Sequence, residues 1–118
     1  MRNGLVIFLV LACGACEKAD WHQIAITDAE RAVRTEAGDS EAQFSSVQIT
    51  GDQSTGQVCG MVTARNNSFL SGVPARFIFY IDGGGGNNPW IEGNPGTHTA
   101  PDFEFNWNAD CVREGYAQ

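Results

Sequence analysis

Two apolar segments in the middle of the chain predict the core of the fold. Residues 57–65 (QVCGMVTAR) and 76–81 (RFIFYI) are rich in β-branched and aromatic residues, and Gly, Asn, Ser and Pro border both of them. This composition is typical of strands in an antiparallel sheet. The first segment alternates between two faces, whereas the second is almost continuously apolar. We therefore expect two core strands, the second of which is buried on both faces of the sheet.

Upstream of these strands, the apolar spacing changes to that of a helix. From Asp20 onward, apolar residues recur at intervals of three and four positions until a stop signal at Gly38, which predicts an N-terminal helix. Thr27 and Glu30 have the spacing of a capping box, so a start of the regular helix at Asp28 is an alternative.

The outer face of that helix and the segment after it are polar. Arg31 and Arg34 are expected on the solvent side, where their ordinary role is solubility. Phe44 is expected to anchor the segment that crosses to the sheet. The alternation at 47–49 then predicts a short first strand, and residues 51–56 (GDQSTG) are expected to form a hairpin loop.

The last segment of the chain fits two patterns. Phe103, Phe105 and Trp107 alternate as in a strand, whereas Phe103, Trp107 and Cys111 recur every fourth residue, as on one face of a helix. We favour the helix, because Asp102 can cap it and because the helical stripe ends on a cysteine that has to reach the sheet.

Cysteine usage links this segment to the sheet. Cys59 lies in the first core strand, and Cys111 is its expected partner in the folded body. Closing a loop of about 50 residues with a disulfide would contribute on the order of 4 kcal/mol in the chain-entropy model. Such a bond also predicts an oxidising compartment.

The N-terminus, MRNGLVIFLVLACGAC, has the layout of a secretory signal, with one Arg, an apolar run and then small residues. The run is too short for a membrane-spanning helix, which needs about 20 residues. The segment resembles the lipobox of bacterial lipoproteins, in which a cysteine after small residues becomes lipid-modified. Cys13, which follows Val10, Leu11 and Ala12, matches this lipobox better than Cys16, which follows Cys13, Gly14 and Ala15. The pairing of cysteines instead favours lipidation of Cys16 after a signal peptide at 1–15, because an anchor at Cys13, the alternative, would leave Cys16 as an odd thiol.

Length and charge limit the remaining possibilities. The chain has 118 residues, so we expect a spacer at 16–20 and a single domain at 21–118. Seven Lys and Arg against fourteen Asp and Glu give a net charge of −7. This balance argues against nucleic acid as a partner, because a phosphate backbone requires a basic footprint. The expected partners are the membrane, through the lipid, and an envelope protein.

No motif in the sequence predicts catalysis, a metal site or a cofactor site. His22 and His98 lie in polar surroundings without a nearby cysteine or a second ligand on the same helix face. The glycine run at 83–86 lacks the Lys and the Ser or Thr that follow the glycines of a phosphate loop.

Three residues are candidates for binding. Arg65 and Arg76 lie on or beside the predicted core strands, where an arginine normally needs a partner carboxylate, so we favour a structural role over a ligand-facing one. Trp90 either closes the glycine-rich loop back onto the sheet or forms an exposed contact, and we favour the first.

Four segments within residues 29–111 carry a resemblance: AERAVRTEAGDSEAQFSSV, VCGMVTARNNSF, ARFIFY and WNADC. Together they resemble a group of small exported bacterial proteins in which a helix leads to a C-G-x-V-N-A-K-N strand and then to an R-F strand. The resemblance implies the order helix, antiparallel sheet, helix, but no activity. Thr63 and Arg65 stand where the group has Asn and Lys. The matched residues are Asp39, Phe44, Cys59, Gly60, Val62, Ala64, Asn66, Arg76, Phe77, Trp107 and Cys111.

The sequence therefore predicts one α+β domain, with an N-terminal helix packed on a small three-stranded antiparallel sheet and a C-terminal helix that a disulfide links to the sheet. The predicted function is that of a non-enzymatic lipoprotein, anchored in the bacterial envelope and facing the periplasm, that serves as a small binding or structural module. The alternative is an exported inhibitor or effector that binds a protein through the 83–90 loop. No cofactor is predicted.

Overall fold

The computed structural model describes residues 20–65, 70, 72–82, 88–94 and 99–117. The predicted signal, Cys13, Cys16, His98 and residues 83–87 lie outside the described residues. Within the described ranges, no helix has the length and apolar character needed to cross a bilayer. The elements are α1 (Trp21–Ala37), β1 (Gln43–Thr50), β2 (Gln57–Thr63), β3 (Ala75–Tyr80), β4 (Trp90–Ile91) and α2 (Ala100–Asn106), which continues into a π-helical segment (Trp107–Val112).

The strands form one antiparallel sheet in the order β1-β2-β3-β4. The sequence predicts three strands, and the additional one is the two-residue β4, in which Trp90 and Ile91 pair with Ile78 and Phe77. A strand of this length shows no alternation, so the pattern does not predict it. The burial of β3 on both faces is confirmed, because Phe77 and Ile78 are each 0% exposed.

The predicted N-terminal helix is confirmed as α1, and the alternative start at Asp28 is wrong. The carboxylate of Asp20 accepts the backbone N–H of His22 at 3.0 Å and so caps a helix that begins at Trp21, about two turns before Asp28. Gly38 has a left-handed φ of 72° and ends the helix. The buried face of α1 packs on the first face of the sheet in a cluster that includes Ala25, Ala29, Val33, Ala37, Val58, Val62, Phe77 and Phe79.

The second face of the sheet is covered by α2 and the π-helical segment. Phe103, Trp107 and Cys111 are 1%, 1% and 0% exposed, whereas Phe105 is 70% exposed. This burial confirms the helical interpretation of the last segment. Cys59 and Cys111 form the predicted disulfide, with their Cα atoms 6.1 Å apart. The cluster on this face also contains Ile78 and Tyr116.

The start of α2 differs from the prediction. Thr99, rather than Asp102, caps the helix, because the Thr99 hydroxyl accepts the backbone N–H of Asp102 at 3.2 Å. Pro101 thereby falls in the first turn, where a missing N–H breaks no hydrogen bond. Asp102 lies in the same turn, where a negative charge is favourable.

The π-helical segment is joined to the sheet through its backbone. The carbonyl of Asp110 accepts hydrogen bonds from the Thr50 hydroxyl at 2.9 Å and from the Gln57 side-chain amide at 2.6 Å. Thr50 and Gln57 are only 4% and 3% exposed. Since buried polar groups are normally paired, this carbonyl explains why two polar side chains are tolerated in β1 and β2.

β1 is interrupted by a bulge and extends further back than predicted. Ser46 has a φ of 53°, and the register with β2 shifts there. Phe44, expected to precede the first strand, lies inside it. The C-terminal tail covers the bulge: the Tyr116 hydroxyl donates to the Ser46 carbonyl at 2.9 Å, and the Gln48 amide bonds both backbone groups of Ala117 at 2.6 and 3.0 Å.

Candidate functional site

Arg76, a predicted binding candidate, is held by two carboxylates on the second face of the sheet. Its guanidinium donates to Glu92 at 2.8 Å and to Glu104 at 2.7 Å, and its central carbon lies 5.2 and 5.3 Å from the ring centroids of Phe103 and Trp107. The bond to Glu92 is the main reason why the pKa of Arg76 is raised, and the same bond lowers the pKa of Glu92. We call this set the Arg76 clamp. Its contacts favour a structural role.

Arg65 contributes its backbone to the fold. The carboxylate of Asp39 accepts the backbone N–H of Arg65 at 3.0 Å and that of Glu41 at 2.9 Å, and Asp39 is only 6% exposed. The end of β2 is thereby joined to the turn after α1. Arg65 itself is exposed and lines, with Gln43 and Thr63, a cavity of about 300 Å³.

Trp90 packs back on the sheet, as the favoured alternative predicts. It is half-buried, and its ring meets that of Tyr80 edge-on at a centroid distance of 6.4 Å. The Tyr80 hydroxyl in turn donates to the Asp110 carboxylate at 2.5 Å. Burial, followed by this hydrogen bond, raises the pKa of Tyr80. Binding of a protein through the 83–90 loop stays a prediction, because residues 83–87 are not described.

A groove of about 600 Å³ borders the outer face of α1 and the turn that follows it. We call it the Arg34 groove. Arg31 pairs with Asp28 at 3.1 Å, and the Asp39 carboxylate accepts the two backbone N–H groups described above. These two charges of the groove are therefore already engaged. Its described lining residues are Thr27, Glu30, Arg31, Arg34, Thr35, Gly38, Asp39 and Ser40.

Arg34 differs from its neighbour Arg31. It is half-buried, and its guanidinium carbon lies 4.9 Å from the centroid of the Phe44 ring. Its Nε is buried and has no hydrogen-bond partner in the described part of the chain. The ion pairs found among those residues do not include Arg34. A cation thus rests on an aromatic ring at the wall of a groove with hydrogen-bonding capacity that the fold leaves unused.

The prediction that both arginines face solvent is therefore correct for Arg31, whose side chain is 70% exposed, and wrong for Arg34. The reason is a contact between residues on different elements: Phe44 projects from β1 towards α1 and receives the guanidinium. No local sequence signal marks this contact. Phe44 is itself held by an edge-on contact with Phe77, at 5.6 Å between centroids.

The chemistry that this groove offers is the binding of an anionic group. A guanidinium presents N–H donors in a planar fork that matches a carboxylate. Among the described residues, no group of three or more His, Cys, Asp and Glu side chains is placed to hold a metal ion. The ring of His22, a residue considered for a metal site, is hydrogen-bonded to the Asp20 carboxylate at 2.8 Å.

Comparison of the chain with models of protein families, with curated proteins and with solved structures found no match. The resemblance to small exported bacterial proteins therefore stays a prediction.

Proposed function

We propose that this chain is a lipid-anchored, exported binding module without catalytic activity, and that the Arg34 groove is its binding surface. The observation that carries the proposal is the contrast between Arg34 and Arg76. Arg76 makes two ion pairs and lies over two rings. Arg34 lines a groove with a buried Nε that has no partner among the described residues.

Cysteine usage supports export and the choice of anchor. Disulfides persist in oxidising compartments, and the bond between Cys59 and Cys111 uses two of the four cysteines of the chain. Cleavage before Cys16 would remove Cys13 and leave one thiol for the lipid. Cleavage before Cys13 would leave an additional thiol that has no partner in that arrangement.

The first turn of α1 supports a position close to the membrane. Trp21 belongs to neither core cluster, and its ring stacks on the exposed His22 ring at 3.8 Å. Ile24 is 52% exposed. Trp is favoured at the interface between lipid and water. A lipid on Cys16, only five positions before Trp21, would hold this turn within about 18 Å of the anchored residue.

The anchor is tested by the intact mass of the protein from its own envelope fraction, before and after reduction and alkylation. We expect a chain that starts at Cys16 and carries added acyl mass, with two alkylated thiols that appear only after reduction. A mature chain without acyl mass would contradict the anchor. Free thiols at Cys59 and Cys111 before reduction would contradict export to an oxidising compartment.

A further inference from the structure

Two side chains of opposite charge line the Arg34 groove without an ion-pair partner among the described residues. Arg34 is one of them, and Glu30 is the other: it is half-buried, lines the groove and takes part in none of the ion pairs found among the described residues. The two residues are four positions apart on one helix and therefore lie on the same face. Even so, they are not paired with each other.

The burial of the Arg34 Nε is the second observation. Buried donors in folded proteins are nearly always hydrogen-bonded, and an exception calls for an explanation. An acceptor that a ligand brings into the groove would meet this guanidinium at its terminal N–H groups, which are not among the buried atoms and have no hydrogen bond in the described part of the chain. Stacking on Phe44 fixes the guanidinium before the ligand arrives, and this reduces the conformational entropy lost on binding.

We propose that the Arg34 groove binds a zwitterionic small molecule of the amino-acid class, with its carboxylate on Arg34 and its ammonium group towards Glu30. The inference rests on the proposed role of the groove as the binding surface. A volume of about 600 Å³ is within the usual range of small-molecule sites. Arg31 contributes little, because it is exposed and paired with Asp28.

The test is a nuclear magnetic resonance titration of the isotope-labelled full chain, with glycine as the zwitterionic probe and acetate as the carboxylate alone. The observed signals are the Arg34 Nε–H and the backbone amides of Gly38 and Ser40. We expect both probes to shift these signals. Glycine should bind about threefold more tightly than acetate, because its ammonium group offsets the repulsion between the probe's carboxylate and that of Glu30. Absence of any shift, or glycine that binds no more tightly than acetate, would overturn the proposal.

Three variants assign the roles. Arg34→Gln should weaken acetate binding about tenfold or more, as expected for the loss of a charge-assisted hydrogen bond. Glu30→Gln should abolish the preference for glycine by strengthening acetate binding. Arg31→Gln is the matched comparison, with the same charge change on the same helix, and should weaken acetate binding much less than Arg34→Gln, because the Arg31 side chain is exposed and paired with Asp28. Equal acetate binding by the Arg34→Gln and Arg31→Gln variants would refute the assignment.

Two measurements keep the outcome interpretable. Arg34→Lys retains the charge but not the planar fork, so its affinity for acetate should fall between those of the Gln variant and the unaltered chain. Amide signals of the second face, such as that of Ile78, report whether a variant still folds. The intact-mass result is independent of this titration, so failure of the anchor and failure of the groove would be distinguished.

Discussion

The two faces of the sheet are held by different kinds of interaction. On the first face, α1 lays a stripe of Ala and Val against apolar side chains of β2 and β3. On the second face, a disulfide, the Arg76 clamp and the bonds to Asp110 join the C-terminal segment to the strands. Apolar burial responds little to redox state or pH. On the second face, the disulfide depends on redox state, and the ion pairs and hydrogen bonds of ionisable side chains depend on pH. The stability of the second face should therefore be conditional on the compartment, and that of the first should not.

The largest expected effect is the loss of the disulfide. Replacing Cys59 and Cys111 by Ala should lower the free energy of unfolding by about 4 kcal/mol, because the bond closes a long loop in the unfolded chain. The two residues are 52 positions apart. Urea unfolding of the double variant and of the unaltered chain, each with and without reductant, measures this. A loss below about 1 kcal/mol would contradict a major contribution of the disulfide to the attachment of the second face.

A cavity on the first face should have a smaller effect that does not depend on reductant. Val33 is 0% exposed, and Val33→Ala should cost about 1.5 kcal/mol, since the cavity penalty is partly offset by the higher helix propensity of Ala. Ile24→Ala, on the same helix at a side chain that is 52% exposed, is the matched control and should change stability by less than about 0.5 kcal/mol. A Val33→Ala penalty that changes on reduction would show that the two faces are coupled.

The Arg76 clamp should contribute about 1 kcal/mol, because the side chain is 23% exposed and solvent screens its ion pairs. Arg76→Gln removes this stabilisation. The pKa of Glu92 is lowered from its usual 4.5, so its contribution is present above that pH and is lost as the pH falls through the lowered value. The unaltered chain should therefore lose stability in acid more steeply than the variant. Parallel urea midpoints across acidic pH would contradict an electrostatic role.

How much the sequence predicts depends on how local the signal is. Phe103, Trp107 and Cys111 recur at the spacing of a helix, and this spacing predicts their shared burial, although the alternation of Phe103, Phe105 and Trp107 fits a strand as well. Contacts between elements leave no such pattern. Gly60 illustrates the difference: a Cβ at this position would lie 3.0 Å from the Phe77 ring, a constraint that exists only once β2 and β3 are paired.

The same reason explains what the sequence predicts about the candidate site. Arg65 and Arg76 are predicted as candidates because they lie on or beside recognisable strands. In the structure, Arg65 bonds Asp39 through its backbone N–H, and Arg76 pairs with Glu92 through its side chain. Arg34 has the spacing of an ordinary exposed helix residue. Its environment depends on the register that brings Phe44 of β1 under α1. The register between β1 and β2 shifts at the bulge at Ser46, and no residue pattern predicts this bulge.

The smallest expected effect concerns Tyr80, on the second face. Its hydroxyl donates to the Asp110 carboxylate. Because Asp110 is only half-buried and water can replace the lost donor, Tyr80→Phe should cost about 1 kcal/mol or less at neutral pH, below the usual value for a charged acceptor. The pKa of Tyr80 is raised above its usual 10.0, mainly by burial. In the unfolded chain the phenol ionises near its usual value, while the folded protein keeps it protonated. The stabilisation is therefore complete below that pH and is lost as the pH rises above it.

Tyr116 shares this behaviour, since burial also raises its pKa, and Tyr116→Phe is the matched comparison. Alkaline urea titrations should show that each single variant loses less stability than the unaltered chain and that the double variant loses least. If the alkaline loss were unchanged in the double variant, neither phenol would be its cause. The stability that the second face contributes would then depend on pH only in acid, through the carboxylates of the Arg76 clamp.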